Sequence, residues 1–407
     1  MRLSTTFFKL FIGILGVFLL LSGVEFAFGV FDILEDSSSE TLQTGTWTAG
    51  TPIYTAQEFY DFATSSTSES TDHYYLANDI DFTGFTWNYV SAFDTNQFQG
   101  NLSGNDYTLS NIVMTSTDTN SLMLSIFSRM DGATIRDVRV ENYSMSISST
   151  FLASSNIQSA VFASQVTGTN NIFENIRLSN INLISNSLNG TAALVAQVEA
   201  NADLSIKNIK VSSLTAISSS KRAGGLISRV LRGTGTIIIE DVEVQGFIAA
   251  GNATSNTGGI IGTLQDVVCT IDRAVVEYTA EGTITLTDGS ITYKSNKYVG
   301  GFVGNAKSTN FTISNSFYTG KLYTVYANLG SAIGREQKPV TLVDTYYSNV
   351  LFNNTYIAPT VTTGLHSILV NESSMPDIAW WNGFAVNFLT ANALWSQDGT
   401  GRLYLEE

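Results

Sequence analysis

Glu240, Asp241 and Glu243 form the densest acidic cluster in the chain. Paired carboxylates are what a glycosidase uses, but they must flank a cleft at about 5–10 Å from one another. The segment Ile239-Glu-Asp-Val-Glu-Val244 places Glu240 and Glu243 in outward slots of a strand. A solvated strand face supplies no cleft, so catalytic residues are not expected here. Elsewhere His73 and His366 stand far apart, and no His-Glu-x-x-His or Gly-x-Ser-x-Gly is present. Asn78, Asp79 and Asp81 offer oxygen atoms. A calcium loop of the EF-hand kind needs more of them at set positions, and a corner or cap motif is the expected role. Cys269 is the sole cysteine, so it can form no internal disulfide. In the run Val267-Val268-Cys269 it reads as a buried, inert thiol. Nothing in the pattern asks for a metal or a cofactor.

The elements that hold these residues are dictated by an unusual composition. Only 14% of the 407 residues are charged, against about a quarter in ordinary domains. Ser, Thr, Asn and Gly take their place. Disordered polar chains lack aromatic and β-branched residues, whereas this one has 24 Phe and 17 Tyr, which favours a folded body rich in strands. The formal charge of −15 comes with no basic stripe. That argues against nucleic acid and against a grip on anionic lipid.

The N-terminus has the pattern of an export signal. Arg2 and Lys9 precede the apolar run Leu10–Gly23, and Ala27-Phe28-Gly29 offers small residues for cleavage. Residues 1–29 are therefore expected to be a signal peptide or an N-terminal membrane anchor. The acidic flank Asp32, Glu35 and Asp36 places the body outside in either case. Residues 30–52 read as a polar linker. Thr55 and Glu58 are spaced as a capping box for a short helix carrying Phe59 and Phe62, which would cover the open N-terminal end of the body.

The body repeats itself. A six-residue frame recurs: apolar, any, Asn or Asp, small or apolar, any, apolar. It reads Leu109-Ser-Asn111-Ile-Val-Met114, then Ile135-Arg-Asp137-Val-Arg-Val140 and Phe173-Glu-Asn175-Ile-Arg-Leu178. Ile206–Val211, Ile239–Val244, Ile313–Tyr318 and Leu342–Tyr347 repeat it with Asn208, Asp241, Asn315 and Asp344, while Ile271–Val276 has Arg273 in the polar slot. Strict alternation would make positions one, three and five apolar. Here they are one, four and six, so the chain turns at the polar slot. Asn and Asp tolerate left-handed backbone there. Polar slots lie 26–42 residues apart, too far for hairpins of a sandwich and suited to stacked coils. The fold expected is all-β, a β-solenoid with caps at both ends and with Asn111, Asp137, Asn175, Asn208, Asp241, Asn315 and Asp344 in one corner column.

A second element precedes each frame: Gly224-Gly-Leu-Ile-Ser228, Gly258-Gly-Ile-Ile-Gly262 and Gly300-Gly-Phe-Val-Gly304, with weaker forms such as Ala160-Val-Phe-Ala163. Small residues flanking two apolar ones suit a tight corner. The paired elements resemble the GLUG-repeat family of extracellular proteins, in which a GGLVG-like strand precedes an I-x-N-x-Y-like strand. Tyr74–Phe82 and Phe98–Leu109 are similar to the opening coils of those proteins, and Trp395–Leu403 to their closing cap. The likeness spans residues 53–405. Four repeats depart from it by lacking the double glycine. It implies a β-helix and export, and no particular activity.

These readings lead to an exported, cell-surface or secreted protein acting as an adhesin, a ligand-binding surface or a spacer, and not as an enzyme. A viral or phage exterior fibre and a polysaccharide-degrading β-helix enzyme are the alternatives. The solenoid with its N-terminal cap should span residues 53–350, and a C-terminal coil and cap residues 351–407, with Trp380, Trp381, Trp395 and Leu403 against the last coil. The frame's fifth slot faces outward and becomes apolar at Val275, Phe317 and Tyr346. That patch is the expected docking place for a surface carbohydrate or a protein, unless residues 351–400 fold over it.

Overall fold

The computed structural model describes residues 49–64, 72–116, 123–147, 157–185, 188–218, 221–251, 256–280, 283–285, 292–294, 298–322, 332–352, 367–371, 389, 394–399 and 402–406. Residues 1–29, expected to be a signal peptide or anchor, most of the expected linker, Trp380, Trp381 and His366 lie outside these residues. The compact unit is Trp47–Glu407.

Its body is a β-solenoid, all-parallel along the stack. Six coils contribute a strand to each of three sheets, a long one, a middle one and a short one. Within a coil the short strand comes first, for example Arg222–Gly224. The middle strand Ile227–Val230 is next, and then the long strand Thr236–Gly251. The double glycine lies at the bend between the first two. A side chain on Gly224 would collide with the Ile227 carbonyl, and one on Gly225 with the Gly259 carbonyl of the next coil. The other apolar pairs with small neighbours, such as Val161-Phe162 and Ala193-Leu194, occupy the same bend and are fully buried.

The long strands are long only by hydrogen bonding. Each is broken where its polar slot takes left-handed φ: Asp137 54°, Asn175 53°, Asn208 53°, Asp241 52°, Arg273 51°, Asn315 46° and Asp344 45°. Their neighbours pair in direct register from coil to coil, so these residues form one column. Side chains bond along it. Asn175 donates to Asp137 at 2.7 Å and Asn208 to Asn175 at 3.1 Å. Arg273 fits the column because its guanidinium clasps Asp241, Nε to Oδ1 at 2.7 Å and Nη2 to Oδ2 at 3.0 Å. The inward slots Ile135, Phe173, Ile206, Ile239, Ile271 and Ile313 are fully buried and make the core.

Asn111 is not in that column. It pairs with Asn142 and starts a second corner: Asn111 (φ 60°), Asn142 (55°), Asn180 (53°), Ser213 (59°) and Gly246 (57°). Asn142 donates to Asn111 at 3.1 Å and Asn180 to Asn142 at 2.7 Å. Residues 104–107 stand opposite Asp137 and Val138 alone, and that extra loop pushes Leu109–Met114 one corner further along. In the fifth coil the register shifts between Val244 and Phe247, and the second corner is lost.

The N-terminal end is closed as the sequence leads one to expect. The helix Ala56–Thr64 opens on a reciprocal cap, Glu58 N–H to Thr55 Oγ1 at 3.2 Å and Thr55 N–H to Glu58 Oε2 at 3.1 Å. Phe59 meets Phe82 and Trp87 edge-on at 6.0 Å, and Phe62 meets Phe127 of the first coil at 5.6 Å.

Candidate functional site

The fifth-slot column runs Arg139, Arg177, Lys210, Glu243, Val275, Phe317 and Tyr346 in unbroken register along one flank of the stack. Its apolar end is not open. Val275 and Phe317 are each 1% exposed and pack with Leu394, Trp395, Leu403 and Leu405, with half-buried Tyr346 at the margin. The expected docking patch is therefore covered by the chain's own C-terminal segment. That segment is an antiparallel hairpin, Trp395–Gln397 with Leu403–Leu405. Trp395 and Leu403 thus lie along the flank of the stack, against Val275 and Phe317, and not across its last coil. The coil stack itself continues past Phe352 through Ser367–Asn371, which pairs with Thr345–Ser348.

Polar groups pin the hairpin. Trp395 Nε1 donates to Asp241 Oδ1 at 2.8 Å, and Leu405 N–H donates to Glu243 Oε2 at 2.9 Å. Lys210 Nζ donates to the Leu405 carbonyl at 3.1 Å and Arg177 Nη2 to that of Glu406 at 2.7 Å. Arg402 pairs with Glu277 at 2.9 Å. Asp241 and Glu243 are fully buried, against the expectation of a solvated acidic face. The cause is the hairpin, which covers them. Burial pushes the Glu243 carboxyl above the usual range, opposed by the Leu405 N–H, by the charges of Lys210 and Arg402 and by a bond from Gln245. Both carboxylates thus serve to hold chain to chain.

The other candidates take local roles. Asp79 accepts the Thr108 N–H at 2.8 Å, and Asp81 accepts the Thr83 N–H at 2.9 Å and Asn111 Nδ2 at 2.9 Å. Bonds from Asn111 and Thr83 hold the Asp81 carboxyl below its usual range. These are corner bonds, and no group of metal-ligating side chains occurs among the described residues. Burial pushes the Cys269 thiol up, consistent with an inert core position. His73 is exposed on the strand His73–Leu76.

The basic end of the flank adjoins the hairpin, whose Leu405 and Glu406 carbonyls accept bonds from Lys210 and Arg177. A shallow depression there is lined by Arg139, Glu141, Arg177, Ser179, Lys210 and Ser212. The fifth-slot column contains all three cations, and the sequence carries their one signal: the same sign on three consecutive frames. Solvation of an outward slot hid what the stacking makes of it.

No family model matches the sequence, and no curated protein matches it. Among solved structures, the chain is similar to one described as a putative immunoglobulin A1 protease from Bacteroides ovatus. The TM-score is 0.50 at 15% identity, over 89% of this chain and 94% of that one. At such identity the likeness concerns the fold alone: this chain is a β-solenoid.

Proposed function

We propose that the chain is an exported β-solenoid of the GLUG-like kind that works at the cell surface, or after secretion, as a ligand-binding or adhesive surface. The basic run and apolar stretch at residues 2–23 support export. No helix among the described residues is long and apolar enough to cross a membrane. The observation that carries a binding role is the shallow depression on the flank, where charged and hydroxyl side chains of successive coils line up parallel to the stack. The carboxylates nearest to a catalytic arrangement, Asp241 and Glu243, are engaged by the hairpin, which favours binding over catalysis.

Fractionation of cells producing the full chain with a C-terminal tag tests the reading, followed by protease treatment of intact cells. The tag is expected in the medium, or on cells and removed by protease. A tag that stays inside intact cells and resists the protease overturns it.

A further inference from the structure

The C-terminal hairpin is fastened far from where its chain leaves the stack. The last described strand of the long sheet is Ser367–Asn371, beside Thr345–Ser348. From there the hairpin's bonds reach back to Glu277, Asp241, Glu243, Lys210 and Arg177, which belong to four successive coils. Four strand spacings separate Ser367–Asn371 from the strand of Asp241, a distance of about 19 Å along the stack. The intervening residues 372–393 reach roughly 70 Å when extended, so connection alone does not dictate where the hairpin lands. Recognition by the flank does. A two-stranded hairpin is marginally stable by itself in water, and Leu394, Trp395, Leu403 and Leu405 find apolar partners on the stack in Val275 and Phe317. Complementary polar groups are divided between the two sides. Arg402 comes with the hairpin and Glu277 with the stack, while the stack's Glu243 and Lys210 meet the N–H and the carbonyl of Leu405. The flank of a second copy presents the same partners at the same spacing.

We infer that this flank is a docking site for the hairpin of a second copy of the chain, and that two copies exchange hairpins reciprocally into a closed dimer. Exchange of an identical element keeps every contact of the closed monomer and is a recurrent route to dimers. The competition is one of concentration. A flexible tether holds a copy's own hairpin at an effective concentration of about a millimolar. Dilute copies therefore stay monomeric, and copies crowded to about that density exchange. The inference does not depend on the surface-binding reading, because the two surfaces involved both belong to this chain.

The test removes the competing contact within each copy, using full chains in mild detergent. Glu243→Lys spoils the flank and leaves the hairpin as it is: it takes away the acceptor of the Leu405 N–H and sets a third cation beside Lys210 and Arg402. Trp395→Ala spoils the hairpin and leaves the flank as it is. Light scattering at about a tenth of the tether's effective concentration is expected to find each variant alone monomeric. Their equimolar mixture is expected to form a one-to-one pair, with dimer about tenfold or more above either variant alone, because the intact hairpin of one finds an intact flank only on the other. A variant carrying both changes is expected to pair with neither. If Glu243→Lys fails to fold, Val275→Asp takes its place under the same criteria, with an unchanged melting curve of the stack as the control. A mixture no more associated than its components overturns the inference. So does pairing that the double variant retains, which would put the contact on another surface.

Discussion

The two ends of the described chain are fastened in contrasting ways. The N-terminal helix plugs the stack with rings: Phe59, Phe82 and Trp87 are buried, and Phe59 meets the other two edge-on. The C-terminal hairpin lies along the flank, where its apolar contacts are supplemented by Asp241, Glu243, Arg177 and Lys210. A plug of rings is non-directional and strong in proportion to area. A clasp made with buried charges is worth little over an apolar one, yet it is costly to break from one side only. The difference teaches that the plug belongs to the fold, whereas the clasp is a separable attachment with its own local stability.

The largest expected effect is at the plug. Phe59→Ala should cost about 3–5 kcal/mol, as for other buried Phe truncations. The loss should appear in the midpoint of global unfolding by denaturant. A change below about 1 kcal/mol would mean that the plug matters no more than an ordinary surface site.

Trp395→Ala is the matching change at the clasp. It removes a buried ring and the Nε1–H bond to Asp241, which keeps its ion pair with Arg273. The expected cost is about 3 kcal/mol, confined to the hairpin. Hydrogen exchange at Trp395–Gln397 and Leu403–Leu405 should accelerate, and Val275 and Phe317 should bind a hydrophobic dye, while global melting moves little. Equal losses at both ends would erase the distinction.

Between the ends the corner ladder should be intermediate. Asn175→Ala gives up bonds to Asp137 and Asn208 and keeps a left-handed φ of 53°, an expected loss of about 2 kcal/mol. Asn175→Gly relieves the backbone and should recover about half of it. If the two variants are equally unstable, the ladder bonds carry the corner and backbone geometry does not.

The smallest effect concerns acidity. Glu243 has a raised carboxyl in the folded chain, so the docked hairpin binds the proton more tightly than the undocked one. Its contribution is then greatest in acid and declines as pH rises from the ordinary glutamate range through the raised value. Hairpin exchange, corrected for its intrinsic pH dependence, should be more protected in mild acid than at neutrality, by under about 1 kcal/mol. Glu243→Gln should flatten the profile. A profile of opposite slope would mean that Lys210 and Arg402 outweigh burial.

The corners were legible because their cause is local. A polar residue that tolerates left-handed backbone, set among apolar slots at one, four and six, leaves a mark in six residues. The same locality misled at Asn111. Val140-Glu-Asn142-Tyr-Ser-Met145 satisfies the frame as well as Ile135-Arg-Asp137-Val-Arg-Val140 does, and only the loop at 104–107 tells which one Leu109–Met114 faces. Folding of the C-terminal segment over the apolar slots was legible as an alternative; its clasp on the acidic slots was not. Trp395 and Asp241 are 154 residues apart, and nothing near Glu240–Glu243 announces that its outward face is covered. The like-charged run Arg139, Arg177 and Lys210 was present in the sequence as letters, but adjacency between coils is what brings the three side chains together.

The double corner also bears on how the chain reaches its shape. A coil laid down one corner out of step would still bury apolar side chains, with Val140, Tyr143 and Met145 standing where Ile135, Val138 and Val140 belong. Local sequence leaves the two threadings close in merit, and the coil already in place chooses between them. Assembly of such a stack is therefore an act of copying, passed from neighbour to neighbour. Chains are made N-terminus first, so the ring-plugged end is the master from which later coils take their alignment. A circular permutant whose synthesis begins in the middle of the stack has no such master, and its early coils must search between two alignments that differ by a single corner.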